Sequence, residues 1–121
     1  MVKKITSTQG KTFVNDRTGT DAQITVEYII EHTLGCKWML SVLRLIRVGI
    51  NRPGAMTRSV DGLTTKVLNE RLSELVDFDI VEKFSYPEIP PRVEYKFTEF
   101  GRRFIKILDM IDELEEFRRQ R

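Results

Sequence analysis

Between Asp21 and Leu34 the apolar residues Val26, Ile29, Ile30 and Leu34 recur every three or four positions, the spacing that gathers side chains on one face of a helix. Asp21 reads as the N-cap of this helix and Gly35 as its stop. A second helix is expected from about Lys37 to Val48, burying Trp38, Met39, Val42, Leu43 and Ile46 and ending at Gly49. Pro53 suits the first position of a third, short helix, where its missing N–H is no loss, although Gly54 beside it disfavours helix. "DGL" at 61–63 is a turn, and Thr64 then caps a fourth helix reaching about Phe78, with Leu68, Leu72, Leu75 and Val76 inward. Thr65, Lys66, Asn69, Glu70 and Ser73 consequently share its outer face. The period then drops to two in "IVEKFSY" and "VEYKF", which predicts antiparallel strands. Between them Pro87, Pro90 and Pro91 cannot donate ladder hydrogen bonds and restrict their own φ, so they hold the loop extended and place Arg92 at its base. From Thr98, an N-cap, Phe100, Phe104, Ile107, Ile111 and Leu114 mark a closing helix of about twenty residues.

Residues 1–20 are polar, rich in Thr and Gly, and show no sustained period; they read as a flexible arm with a short strand around Lys11 to Val14. Residues 21–121 form one domain, because 121 residues with 40% hydrophobic content support one modest core. The wide apolar stripe of the last helix exceeds what so small a core covers, which favours packing against a second copy. No apolar run approaches a membrane span or a secretory h-region, so a cytoplasmic protein without a membrane partner is expected. One cysteine excludes an internal disulfide, and with one histidine it makes no structural zinc site; no metal or cofactor is expected.

The net charge of +2 hides an uneven distribution. Lys37, Arg44, Arg47, Arg52, Arg58, Lys66 and Arg71 stand against only Asp61 and Glu70 between positions 37 and 73, whereas the segment from Thr98 is balanced. A polyanion responds to that local field rather than to the total.

The order of four helices, a two-stranded hairpin and a long helix gives a mainly α fold with a small antiparallel β hairpin, the winged helix-turn-helix. With "KW" at 37–38, "KVLNERLSEL" at 66–75 and "YPEIPPRVEYKFTEFG" at 86–101, the chain resembles the HxlR family of bacterial and archaeal transcription regulators, relatives of the MarR group, from about Gly35 to Phe117. The resemblance implies a homodimer on double-stranded operator DNA, with the helix opened by Thr64 in the major groove. It implies Thr65, Lys66 and Asn69 at the groove, Arg71 near the backbone, and Pro90, Pro91 and Arg92 at the wing tip. It also implies a dimer seam along Phe100, Phe104, Ile107, Ile111 and Leu114. The chain departs from the family at three places: Cys36 replaces a glycine before "KW", "PGAMTR" at 53–58 replaces the usual Phe-Ser-Glu-Leu-Arg-Arg, and Asp79 stands where glycine normally ends the groove helix.

Hydroxyl and ammonium groups at Thr65 and Lys66 suit phosphate, and the Asn69 amide suits the N6 and N7 edge of adenine. Cys36, at the start of the second helix beside Lys37, is a candidate redox site, because a helix N-terminus favours thiolate. The thiol sensors of the family carry their cysteine earlier in the chain, and a small half-buried thiol filling a glycine's place is the other reading. His32 lies four residues before Cys36, but Gly35 breaks the helix between them and no third orienting group is evident. Trp38 with Met39 reads as core rather than as a stacking site for an aromatic effector, and Asp109, Glu113, Arg102 and Lys106 read as solvated flanks. The function expected is a sequence-specific DNA-binding transcriptional regulator, homodimeric on an inverted-repeat operator and not an enzyme, with a small-molecule or redox effector left open. The alternative is a winged-helix module that binds a protein instead.

Overall fold

The computed structural model describes residues 3–5 and 24–120. In chain order these form β1 (Lys3–Ile5), α1 (Val26–Gly35), α2 (Met39–Arg47), α3 (Pro53–Ser59), α4 (Thr65–Asp77), β2 (Val81–Tyr86), β3 (Arg92–Phe97), α5 (Glu99–Phe104) and α6 (Lys106–Arg119). Asp21 and the strand expected around Lys11 to Val14 lie outside the described residues. The cap of α1 is Thr25, whose hydroxyl accepts the Tyr28 N–H at 3.0 Å. Of the expected stripe only Ile29 is fully buried; Val26 and Leu34 are exposed.

Gly35 is the last helical residue of α1, but the left-handed turn that a terminal glycine was expected to make falls three residues later, at Trp38 (φ 73°). There the indole is half-buried rather than central in the core, and it packs on the turn after α3, 3.5 Å from where a side chain on Gly62 would begin. Gly62 itself has φ 89°. Both constraints explain a glycine at that turn. α2 consequently starts at Met39 and runs to Arg47, with Gly49 (φ 92°) the stop beyond it as expected.

The core is built where α2 and α4 meet the sheet: Met39, Val42, Leu43, Leu68, Leu72, Leu75 and Ile80 are wholly excluded from solvent. Thr64 caps α4 by accepting the Val67 N–H at 3.2 Å, and Pro53 opens α3 around the buried Met56. α3, the Gly62 turn and α4 form the helix-turn-helix, and β2 and β3 pair from Val81↔Phe97 to Tyr86↔Arg92 as the wing. β1, which a three-residue "KKI" gives no period to reveal, pairs antiparallel on the outer edge of β2. On the other side the Tyr95 N–H donates to the Asn51 carbonyl at 3.0 Å, tying the wing to the start of α3.

The closing helix is two helices, not one. α5 ends at Phe104, and a tightened bond from the Leu108 N–H to the Ile105 carbonyl resets the chain into α6. α5 is pinned at Thr98, whose hydroxyl donates to the Asp79 carbonyl at 2.6 Å and accepts the Gly101 N–H at 2.8 Å. Gly101 sits so close to this junction that a Cβ would come 1.9 Å from the Ile80 carbonyl oxygen. Leu108, 1% exposed, seats α6 in the core, and at the surface Arg44 bonds Asp112 through two nitrogens at 2.9 and 3.1 Å while Arg47 pairs with Asp109. Asp109 is thus a partner of α2 and not the free flank its sequence position suggested. The hydrogen bonds from Arg44 hold the Asp112 carboxyl below the usual aspartate range, so this clasp is complete above pH ~4 and loosens as pH falls below it.

Gly101→Ala is expected to destabilise the fold by about 3 kcal/mol or more, because backbone rather than a flexible side chain must yield. Urea unfolding followed by far-UV circular dichroism reads this as a lowered midpoint at unchanged slope.

Candidate nucleic-acid interface

Complete burial of Leu68, Leu72 and Leu75 leaves α4 no freedom to rotate, and its opposite face carries Thr65, Lys66, Asn69, Glu70 and Ser73, all exposed. Lys66, Asn69 and Ser73 line a shallow depression bordered by Glu70, Arg71 and Glu74. Thr64 stands at the head of the helix with its hydroxyl already engaged as the cap. Arg71 behaves differently from the expectation of a side chain reaching outward. It is only 18% exposed and lies against Glu74 at 3.2 Å and Glu70 at 3.7 Å. The other oxygen of Glu74 meets His32 Nε2 at 3.0 Å, and the imidazole packs edge-on against Phe78. Arg71, Glu74 and His32 therefore brace α4 against α1.

That network also places His32: its Nε2 is engaged by a carboxylate across the helix interface. Cys36 forms the C-cap of α1, half-buried against the core, three residues before α2 begins. The N-terminal seat expected for the thiol is therefore not where it sits.

At the wing, residues 87–91 are all exposed, and Ile89 is as open as in an extended chain at 101%. Pro90 and Pro91 form the far wall of this loop, whose Ile89–Pro90 bond is cis. Arg92 is folded back: its guanidinium lies 4.0 Å over the Tyr86 ring and reaches Glu88 at 3.1 Å and Glu94 at 3.8 Å. It stiffens the base of the wing instead of extending from it.

The basic excess between positions 37 and 73 narrows greatly in three dimensions. Arg44 and Arg47 are paired with α6, Arg52 with Glu94 at 3.3 Å, Arg71 with Glu74, and the Lys37 ammonium rests over the Trp38 ring. Lys66, Arg58 and Lys37 are thus each without an ion pair to any described carboxylate. The acids that neutralise the rest come from α4, β3 and α6, beyond the segment that was counted, so linear charge overstated the field and hid where it concentrates.

The last apolar surface runs along α6, where Ile107, Met110, Ile111, Leu114 and Phe117 border one groove with Met110 67%, Leu114 65% and Phe117 61% exposed. Phe104, expected on the seam, is 5% exposed and belongs to the protomer's own core, with Phe100 half-buried 5.9 Å from it. The break at Ile105 separates their stripe from that of α6. Met110 and Phe117 were missed, although each lies three residues past a seam position. Among the described residues no helix is long and apolar enough to cross a membrane.

The profile of the family described as HxlR-like helix-turn-helix matches residues 33–121, which takes in α2 to α6 and the wing. MalR of Fusobacterium mortiferum is 41% identical over 86 residues, 68% of this chain and 81% of that protein. YtcD of Bacillus subtilis strain 168, an HTH-type transcriptional regulator, is 34% identical over 88 residues, 73% of this chain and 69% of that one. A solved structure from Enterococcus faecalis V583, assigned to the MarR family of transcriptional regulators, superposes with a TM-score of 0.70 at 28% identity, covering 93% of this chain and 96% of that one.

Neighbouring threonines at the head of α4 differ in role, and this is measurable. Thr64→Ala is expected to cost about 1 kcal/mol of stability through loss of the cap, whereas Thr65→Ala stays within about 0.5 kcal/mol. Equal losses in chemical unfolding contradict the assignment.

Proposed function

This chain belongs to the HxlR-like helix-turn-helix family of transcriptional regulators, and from that premise we propose that it regulates transcription by sequence-specific binding of duplex DNA as a homodimer. Residues 21–121 are the functional domain, and Lys3–Ile5 adds an edge strand to its wing. The observation that carries the reading is the polar face of α4, which burial of its leucine stripe turns outward, with an unneutralised Lys66 next to Asn69. In the major groove Asn69 offers its amide to an adenine edge, while Thr65 and Lys66 meet phosphate. Thr64 contributes by fixing the first turn of the helix. Arg71 holds the helix in place through Glu74 and sits at the border of its DNA face. Pro90 and Pro91 press the wing loop to the sugar-phosphate edge, and Arg92 keeps that loop upright.

The partner copy covers α6. Its apolar groove, at Ile107, Met110, Ile111, Leu114 and Phe117, leaves three large apolar side chains more than half exposed side by side, which a partner's surface would bury. A two-fold pairing there sets the two groove helices against an inverted repeat whose half-site centres lie roughly 34–36 Å apart. Asp112 and Asp109 stand on the same helix, engaged by α2, so α6 reaches its mate already oriented.

Anisotropy titration of a duplex recovered by selection from a random-sequence pool tests the reading. Log affinity is expected to fall linearly with log salt, and Asn69→Ala to lose about 1–3 kcal/mol of discrimination at one base pair per half-site. Salt-independent capture of a protein partner with no duplex binding favours the interaction-module alternative. In sedimentation equilibrium the wild type is expected to be a dimer and the double change Leu114→Glu with Phe117→Glu a folded monomer; a monomeric wild type contradicts the proposed seam.

A further inference from the structure

A cleft of about 740 Å³ opens between the first turn of α3 and the wing loop, with Arg52, Arg58 and Arg92, Glu88, and the rings of Pro90 and Pro91 among its walls. We infer that this cleft is an anion site that receives a backbone phosphodiester of the bound duplex, with Arg58 as its principal donor. The inference rests on the DNA-binding reading above and adds to it a contact made from α3, outside the groove helix.

Charge bookkeeping singles out Arg58. Arg92 is balanced by Glu88 at 3.1 Å, and Arg52 lies 3.3 Å from Glu94, a carboxylate only 13% exposed beneath the cleft. Arg58 has no described carboxylate to neutralise it, so the cleft keeps one uncompensated guanidinium. A guanidinium presents a planar fork of N–H donors that matches two oxygens of a phosphate, a better fit than a point charge. Facing it, Pro90 and Pro91 bring neither N–H nor charge, and so supply shape without competing for the anion.

The second observation is the glycine inside α3. Gly54 sits in a seven-residue helix, where it is less favourable than alanine by up to about 1 kcal/mol. One turn on, Arg58 lies on the same face, and its Nη1 comes 3.3 Å from where a Cβ on residue 54 would stand. The missing side chain leaves the space into which the guanidinium folds back toward the cleft. A glycine within "PGAMTR" keeps that space open, whereas a side chain there would push the guanidinium away by a few tenths of an ångström. The walls keep their spacing because the Tyr95 N–H bonds to the Asn51 carbonyl at 3.0 Å, fastening β3 to the residue before Arg52. A cleft held open in this way suits a phosphate presented by a stiff duplex.

The test uses the full chain and the duplex selected on wild type, with a scrambled duplex beside it. Arg58→Gln is expected to reduce the salt slope by about one and to weaken both duplexes by the same factor, roughly 3- to 10-fold, since a phosphate contact carries no sequence information. Gly54→Ala, whose methyl group crowds the guanidinium, is expected to shift affinity the same way by a smaller factor while its thermal midpoint holds or rises. Wild-type binding with slope and affinity unchanged in Arg58→Gln overturns the site alone. A wild type that binds no duplex overturns the functional reading and this site with it. A free anion is separated by titrating inorganic phosphate at constant ionic strength: saturable binding that Arg58→Gln abolishes, without any change in duplex affinity, assigns the cleft to a soluble ligand and overturns the duplex contact.

Discussion

A single threonine joins the three parts of this molecule that must keep a fixed geometry. The Thr98 hydroxyl donates to the carbonyl of Asp79, at the exit of α4, and accepts the N–H of Gly101, in the first turn of α5, while its own N–H bonds to Ile80. Thr98 is also the residue that follows β3, so groove helix, wing and C-terminal helix all meet within one hydrogen-bonded knot. Thr98, Ile80 and Gly101 are almost wholly excluded from water, where an unsatisfied partner costs about 1–3 kcal/mol. Asp79 reaches this arrangement by adopting φ 62°, a left-handed conformation that aspartate tolerates better than most residues. Gly101 completes it by carrying no side chain to collide with Ile80.

From that joint the rest of the placement follows. α4 cannot roll, since its leucines fill the core and Arg71, Glu74 and His32 brace it on α1. The wing cannot swing, since it is bonded to Asn51 on one edge and to β1 on the other. α6 is seated by the buried Leu108, and the two arginines of α2 pair with its aspartates at the surface. Most of the arginines that make the middle of the chain basic are consumed in this internal bracing. Of the basic residues between positions 37 and 73, Lys66 on the α4 face, Arg58 beside α3 and Lys37 over the Trp38 ring keep no ion pair to a described carboxylate, and in the proposed mechanism the first two align a small, nearly neutral protein on a polyanion.

Features encoded within a few residues were legible in the sequence. The cap at Thr64, the leucine stripe of α4, the stop at Gly49, the proline-braced turn and the cap at Thr98 each announce themselves through residue type at short spacing. Asp79 was readable as standing in a glycine's place, and it takes the left-handed φ that a glycine there would take. What escaped is long-range. The division at Ile105 follows from α5 being pinned to a carbonyl nineteen residues upstream of Thr98, so Phe104 turns into the protomer while the stripe beyond it stays outside. Trp38 takes the turn that Gly35 seemed suited to, because its ring finds room over Gly62. The ion pairs of Arg44, Arg47 and Arg52 join residues more than forty positions apart, which a running charge count does not register.

The central claim is that α4, oriented by this scaffold, enters a major groove in each half of a two-fold complex. Dimethyl sulfate protection measured alongside hydroxyl-radical footprinting on a selected duplex tests it directly, because guanine N7 lies in the major groove. The account predicts two symmetry-related sets of protected N7 positions, centred about one helical turn apart and flanked by shielded backbone. Backbone shielding with every N7 left reactive, or a single protected patch without a symmetric mate, contradicts it.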